Sequence, residues 1–175
     1  MWITLVRMKH PHSAAGIVKS VASALRAAAM ALGLVVTLTA TAEAAGLRTP
    51  FIEVDMGCLK PGHTFSVVEI RKLPLSVTNV GDRPVELAVE VVRPSANQLR
   101  KGYEAIPDTG WIRLQQNRFR VSPGKNAITD VFISVPDDKR YLGHRYQACL
   151  WSHTVTGGGV AAGLRSRLLF SICEE

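Results

Sequence analysis

Apolar and polar residues alternate along most of the chain beyond residue 50. Leu73, Leu75 and Val77 alternate with Lys72, Pro74, Ser76 and Thr78, and Val85, Leu87, Val89 and Val91 alternate with Glu86, Ala88 and Glu90. Successive side chains of a strand point to opposite faces, so a period of two marks a half-buried strand. Asn79 to Asp82 supplies turn residues between the two runs, and residues 73–92 are predicted to form a hairpin. Phe119 and Val121 alternate with Arg118 and Arg120, and Ser122-Pro-Gly-Lys125 follows as a turn whose glycine suits a positive φ. Thr129, Val131, Ile133 and Val135 then face one way, Asp130, Phe132 and Ser134 the other. In the next strand Tyr146, Ala148 and Leu150 share one face and Gln147, Cys149 and Trp151 share the other; in the last, Leu164, Leu168, Phe170 and Ile172 face a core opposite Arg165 and Arg167. Shorter runs predict strands at Phe51–Val54, Thr64–Ile70 and Trp111–Leu114, and Gly157-Gly158-Gly159 is a hairpin loop. Residues 94–110 are polar and irregular, a length that suits a crossing between sheets. Helical periodicity is not sustained anywhere after residue 45. Seven to eight short strands with dense turns imply an all-β, antiparallel β-sandwich.

The first 44 residues have another pattern. Arg7, Lys9 and Lys19 precede a short apolar run from Ala27 to Leu38, and Ala40-Thr-Ala42 and Ala42-Glu-Ala44 offer small-x-small cleavage sites. A basic region, a short apolar region and such a site define a secretory signal peptide; the run is too short for a spanning helix, which needs about 20 apolar residues. The expected organisation is a signal peptide over residues 1–44 and one domain over residues 45–175. Of the formal charge of +7 on 175 residues, Arg7, Lys9, Lys19, Arg26 and Glu43 belong to the signal. The remaining charge of about +4 removes the main support for nucleic-acid binding and leaves an acidic protein partner or an anionic envelope polymer as candidates. Membrane contact is expected only through the signal peptide before cleavage.

The residues Leu75-Ser-Val-Thr-Asn-Val-Gly-Asp82, Trp111, Val121-Ser-Pro-Gly124, Val135-Pro-Asp137 and Gly143-x-x-Tyr146 together resemble exported bacterial immunoglobulin-like domains, similar to the N-terminal domains of pilus chaperones and to surface-associated interaction modules. The resemblance implies an immunoglobulin-like sandwich with Tyr146 near a strand start, like the corner tyrosine of such folds. Pilus chaperones have two such domains and this chain has room for one, so a basic pair spanning two domains does not carry over. What remains of that mechanism is the last strand, Leu164 to Ile172, which as an edge strand would lend itself to strand addition. In this sandwich type the opening strand often runs parallel to the final one. Cys58 and Cys173 then lie just beyond strand ends on the same side, which implies a Cys58–Cys173 disulfide and a free Cys149. The alternative leaves Cys58 without a partner if Gly57 to Pro61 loops away.

Catalytic and metal motifs do not accumulate. His63, His144 and His153 have no H-x-H or H-x-x-H spacing, no C-x-x-C exists, no Gly-Lys-Ser/Thr follows the glycine run, and no G-x-S-x-G elbow is present. Neither an enzyme, a cofactor nor a metal is expected. Arg113, Arg118, Arg120, Arg145, Arg165 and Arg167 fall mainly on non-core faces and form a basic face if their strands share a sheet. Trp111 is expected in the core. An outward Trp151 near Tyr141, with Arg165 and Arg167, makes a candidate partner contact. The expectation is an exported, non-catalytic structural or adhesive module contacting a protein or polymer in the periplasm, at the cell surface or outside the cell. The alternative is a periplasmic assembly chaperone acting by strand addition, and a homo-oligomer stays open.

Overall fold

The longest alternating runs pair with one another. Strands β11 (Arg145–Thr154) and β12 (Gly163–Ile172) form an antiparallel ladder from Arg145↔Ser171 to His153↔Gly163. Strand β5 (Val85–Val92) pairs β11 on its other side, β8 (Arg118–Val121) pairs β5, and β2 (Glu53–Leu59) runs parallel to β12, giving the order β2-β12-β11-β5-β8. Two-residue β6 (Glu104–Ala105) pairs β11 beside Tyr146 and Gln147, beyond the reach of β5. This computed structural model describes residues 46–155 and 162–173, within one compact unit, Glu43–Glu175. The signal-peptide expectation and the Gly157-Gly158-Gly159 loop lie outside the described residues.

The facing layer is made of two short sheets. Strands β1 (Leu47–Arg48), β4 (Leu75–Asn79) and β9 (Asn126–Thr129) form one, and β3 (Thr64–Ser66), β10 (Val131–Ser134) and β7 (Ile112–Leu114) form the other. They continue each other because β9 and β10 are one line of chain interrupted only at Asp130. Leu75, Val77, Ala127, Val131 and Ile133 from this layer meet Val54, Leu87, Val89, Leu150, Leu168 and Phe170 from the larger sheet in one apolar core. The chain is an immunoglobulin-like β-sandwich, and the register read from Thr129, Val131, Ile133 and Val135 is the buried one.

Four details differ from the reading of the sequence. Thr64–Ile70 is not one strand. It is β3 followed by a one-turn helix, α1 (Val67–Arg71), whose N-cap Ser66 accepts a hydrogen bond from the Glu69 backbone N–H. Residues 73–92 are not a hairpin: β4 pairs β1 and β9, while β5 pairs β11 and β8 across the core. The last strand is not an edge strand, because β2 covers it from Arg167 to Ile172. The opening strand itself runs from Glu53 to Leu59, with Phe51 fully buried ahead of it.

The α1 turn is held from the other strand. Asp130 sits at the break between β9 and β10, and its carboxylate accepts from Ser66 Oγ at 2.5 Å, from the Val68 backbone N–H at 3.1 Å and from its neighbour Val131 at 2.7 Å. Asp130 thus caps an orphan N–H in the first turn of α1 and stitches the two interrupted lines together. It lies on the outward face, as alternation requires, but it is an engaged residue.

Candidate functional site

The outer face of the six-stranded sheet carries the densest group of functional side chains. Strand pairing fixes which residues sit side by side. Arg165, Trp151 and Glu90 form one row across β12, β11 and β5; Arg167, Cys149 and Val92 form the next; Gly163, His153 and Ala88 form the row on the other side of Trp151. Directly opposed residues of an antiparallel pair hold their Cβ atoms about 4.5–5.5 Å apart, so these rows are contacts.

Trp151 is half-buried and seated by its neighbours. Its ring packs on His153 with centroids 4.3 Å apart and planes 31° apart. Its Nε1 lies over Gly163, where a Cβ would come within 3.0 Å of it. Glycine at 163 therefore gives the indole room to lie along the sheet. His153 is nearly buried and its Nε2 meets Glu90 Oε1 at 3.2 Å, which ties the Trp–His pair to β5.

A wall rises beside this patch. The connection from β5 to β7 crosses the outer face of β11, pinned by buried Gln147. That carboxamide accepts from the Arg100 backbone N–H at 2.8 Å and donates to the Gln98 carbonyl at 2.9 Å. Residues 96–98 form a 3-10 turn started by a capping box. Ser95 N–H donates to Gln98 Oε1 at 3.1 Å and Ser95 Oγ donates to Asn97 Oδ1 at 2.6 Å. Glu53 on β2 bridges Arg100 and Arg167, the latter at 3.0 Å. Between wall and sheet lies an open cleft of about 240 Å³ lined by Asn97, Gln98, Cys149, Arg165 and Arg167. Cys149 is a free thiol buried on its floor. Arg165 is exposed and has no acidic partner among the described residues, whereas Arg167 is shared with Glu53.

The predicted contact residues do not all meet. Trp151, Arg165 and Arg167 lie together, but Tyr141 belongs to the other end of the molecule. It packs edge-on against buried Trp111 at 4.8 Å and against Tyr146 at 6.3 Å. Tyr146 is five residues from Trp151 along β11, roughly 16 Å at the strand rise. The reason is the alternation of the strand: Tyr146 turns into the core, where Tyr141 packs against it, while Trp151, an odd number of residues on, turns to the outer face. Burial, with the Glu104 carboxylate adding to it, pushes the Tyr146 hydroxyl above the usual tyrosine range. The basic face is also divided. Arg118 and Arg120 lie on β8 and Arg145 stacks over Tyr103 at 4.9 Å, but Arg113 is in the facing layer, over Phe132 at 4.5 Å. Cys58 and Cys173 are joined in a disulfide, Cα atoms 5.8 Å apart, where β2 and β12 end together.

Asn97, Gln98, Gln147, His153, Glu90 and Glu53 were not singled out as site residues by the sequence. The Ser95-x-x-Gln98 spacing is the one local signal that points to an ordered turn in the connection. The others become neighbours only through sheet order.

The two-layer sandwich, with β2 parallel to β12, is an immunoglobulin-like fold. No family model and no curated protein matches the chain. Solved structures do. The ASH / PapD-like domain of human CEP192 is 12% identical, with a TM-score of 0.51 over 74% of this chain and 86% of that one. A Bacteroides ovatus protein whose name proposes carbohydrate binding is 16% identical, with a TM-score of 0.52; 74% of this chain is covered and 37% of that longer one. The periplasmic chaperone SfaE is 12% identical, with a TM-score of 0.46, over 74% and 61%. At these identities the first two, with TM-scores above 0.5, describe a shared fold and nothing finer.

Proposed function

We propose that this chain is an exported, non-catalytic binding module that contacts a protein or polymer partner, in the cell envelope or outside the cell, through the outer face of its six-stranded sheet. The observation that carries the reading is Arg165 beside Trp151: an exposed cation without an acidic partner among the described residues, in register with a seated aromatic, at the mouth of a cleft. A solubilising arginine needs no such neighbours. Aromatic and arginine side chains together are the usual anchors of a contact surface. The disulfide and the N-terminal signal pattern support export, since disulfides persist in oxidising compartments.

Strand addition at the last strand is less favoured, because β2 occupies that edge over Arg167 to Ile172. The test is association with isolated envelope material. The exported protein should co-sediment with it, and Trp151→Ala and Arg165→Glu should each abolish this while leaving the melting transition within a few degrees. Unchanged association of both variants overturns the reading.

A further inference from the structure

The side of the sandwich between β5 and β7 is left open. The β8 ladder on β5 stops at Ala88, with one further bond, from the Val89 backbone N–H to the Asn117 carbonyl at 2.8 Å. Ahead of Asn117 the chain belongs to the facing layer, where β7 is the last strand of its sheet. Backbone groups of an antiparallel strand alternate in direction. The Val155 N–H donates to the Glu86 carbonyl at 2.7 Å, so the even residues of β5 bond β11, and Val91, like Val89, directs its N–H and C=O away from β11. The Gln115 N–H donates to the Asp130 carbonyl at 3.0 Å, so Leu114 directs its own pair away from β10. Among the described residues no strand meets either of them. Between them is an opening of about 480 Å³ lined by Val89, Val91, Ile112 and Leu114, whose side chains belong to the core or pack against it.

The two outermost strands of the larger sheet guard their edges. In β2 a bulge falls at Gly57, φ 74°, whose N–H is taken by the Asp55 carboxylate at 2.9 Å. Along β8, Arg118 and Arg120 are exposed, and the Gln116 amide donates to the Arg118 carbonyl at 2.8 Å. Bulges and charges are the usual means by which a sheet edge refuses another chain. At the opening the charged side chains are drawn aside, Glu90 toward His153 and Arg113 over Phe132. We infer that this opening takes an extended segment of a partner polypeptide by strand addition to β5. A residue set opposite Val91 exchanges both backbone bonds with it and turns an aliphatic side chain between the layers, onto Val91 and Leu114. The next residue lies opposite Glu90, where a cation is favoured. Extended backbone presents a donor, an acceptor and an inward side chain at that one spacing. A second copy paired about Val91 would set two Glu90 carboxylates diagonally across the ladder, which disfavours it. The opening lies on the side of the sandwich, so this inference stands apart from the Trp151 and Arg165 face.

The experiment titrates isotope-labelled exported protein with the peptide acetyl-Thr-Val-Thr-Val-Lys-amide and follows backbone amides by NMR. Saturable shifts are expected at the Val91 and Leu114 amides, with half-saturation at about 1 mM, as suits so few contacts. Methylating both valine nitrogens removes the N–H groups that face β5 and should weaken binding about tenfold. Methylating the middle threonine nitrogen, which faces away, should change it by less than about threefold. Replacing the peptide's lysine by glutamate should weaken binding about threefold. Leu114→Lys, which sets a charge in the opening, should remove the shifts while the rest of the spectrum keeps its folded dispersion. The methylated peptides act on the unaltered protein, so the test does not depend on how that variant folds. The inference is overturned if the valine-methylated peptide binds as tightly as its parent, if neither amide shifts, or if folded Leu114→Lys still binds. It is overturned in favour of a second copy if the free protein is dimeric at the titration concentration with its Val91 amide protected from exchange.

Discussion

In the six-stranded sheet, β11 and β12 stay paired from Arg145↔Ser171 to His153↔Gly163, while in the facing layer the longest ladder is the four pairs from Leu75↔Thr129 to Thr78↔Asn126. Both layers bury apolar residues against the same core. They differ in what keeps the strands in line. The larger sheet is continuous through backbone pairing. The smaller one breaks at the same level in both of its central lines, at α1 and at Asp130, and the break is bridged by a side chain. Backbone ladders tolerate most outward substitutions, so a continuous sheet can spend its outer positions on binding. A broken one needs particular polar residues to hold its shape.

The largest expected effect strikes what the layers share. Val131→Asp places a carboxylate at a fully buried core position, and it should cost about 5 kcal/mol or prevent folding. A urea midpoint within experimental error of the parent would show that the buried register is wrong. Next comes the staple on the larger sheet. Replacing both Cys58 and Cys173 by Ser releases a loop of sequence separation 115 and should cost about 3 kcal/mol, within the usual 2–5 for such a bond. Parent protein that shows the same midpoint with and without reductant would contradict this.

The comparison is sharpest at Asp130. Asp130→Val removes the acceptor for Val68 N–H and Ser66 Oγ and should cost about 2 kcal/mol. The same kind of change at exposed Glu86, on the continuous sheet, should stay within about 0.5 kcal/mol. Equal midpoints for the two variants would mean that Asp130 does not bridge the break. The smallest effect is alkaline. Burial raises the Tyr146 hydroxyl in the folded state, so the unfolded chain loses this proton first. Stability from this group is complete below the ordinary tyrosine value of about 10 and declines as pH rises through the higher folded value. Tyr146→Phe should therefore lose less stability than the parent between pH 8 and pH 11; parallel losses would remove Tyr146 from the account.

The same contrast explains what was legible in the sequence. The phase of Thr129 to Val135 and of Tyr146 to Leu150 could be read because period two reports facing directly. Sheet membership could not: alternation in residues 73–92 has the same form whether β4 and β5 pair or oppose across the core. The α1 turn was hidden in Val67-Val-Glu-Ile70, where β-branched residues argue for strand, although Ser66-x-x-Glu69 is a capping-box spacing that could have found it. Of the site, Trp151, Arg165 and Arg167 were visible as outward residues on predicted strands. The wall was not, since Gln147 selects its partners Gln98 and Arg100 from nearly fifty residues away.

The disulfide also decides how the domain responds to force. Tension applied to the chain from outside Cys58 and Cys173 reaches the bonded pair first. With Cys58 and Cys173 joined, such a pull bypasses nearly everything between them. A separation of 115 residues corresponds to about 400 Å of extensible chain at up to 3.6 Å per residue, and all of it is withheld from stretching. Among the described residues, those ahead of Cys58 can still peel away, including β1 and the part of β2 that carries Glu53. The pairing of β5, β11 and β12, which lies wholly between the two cysteines, is shielded from such tension.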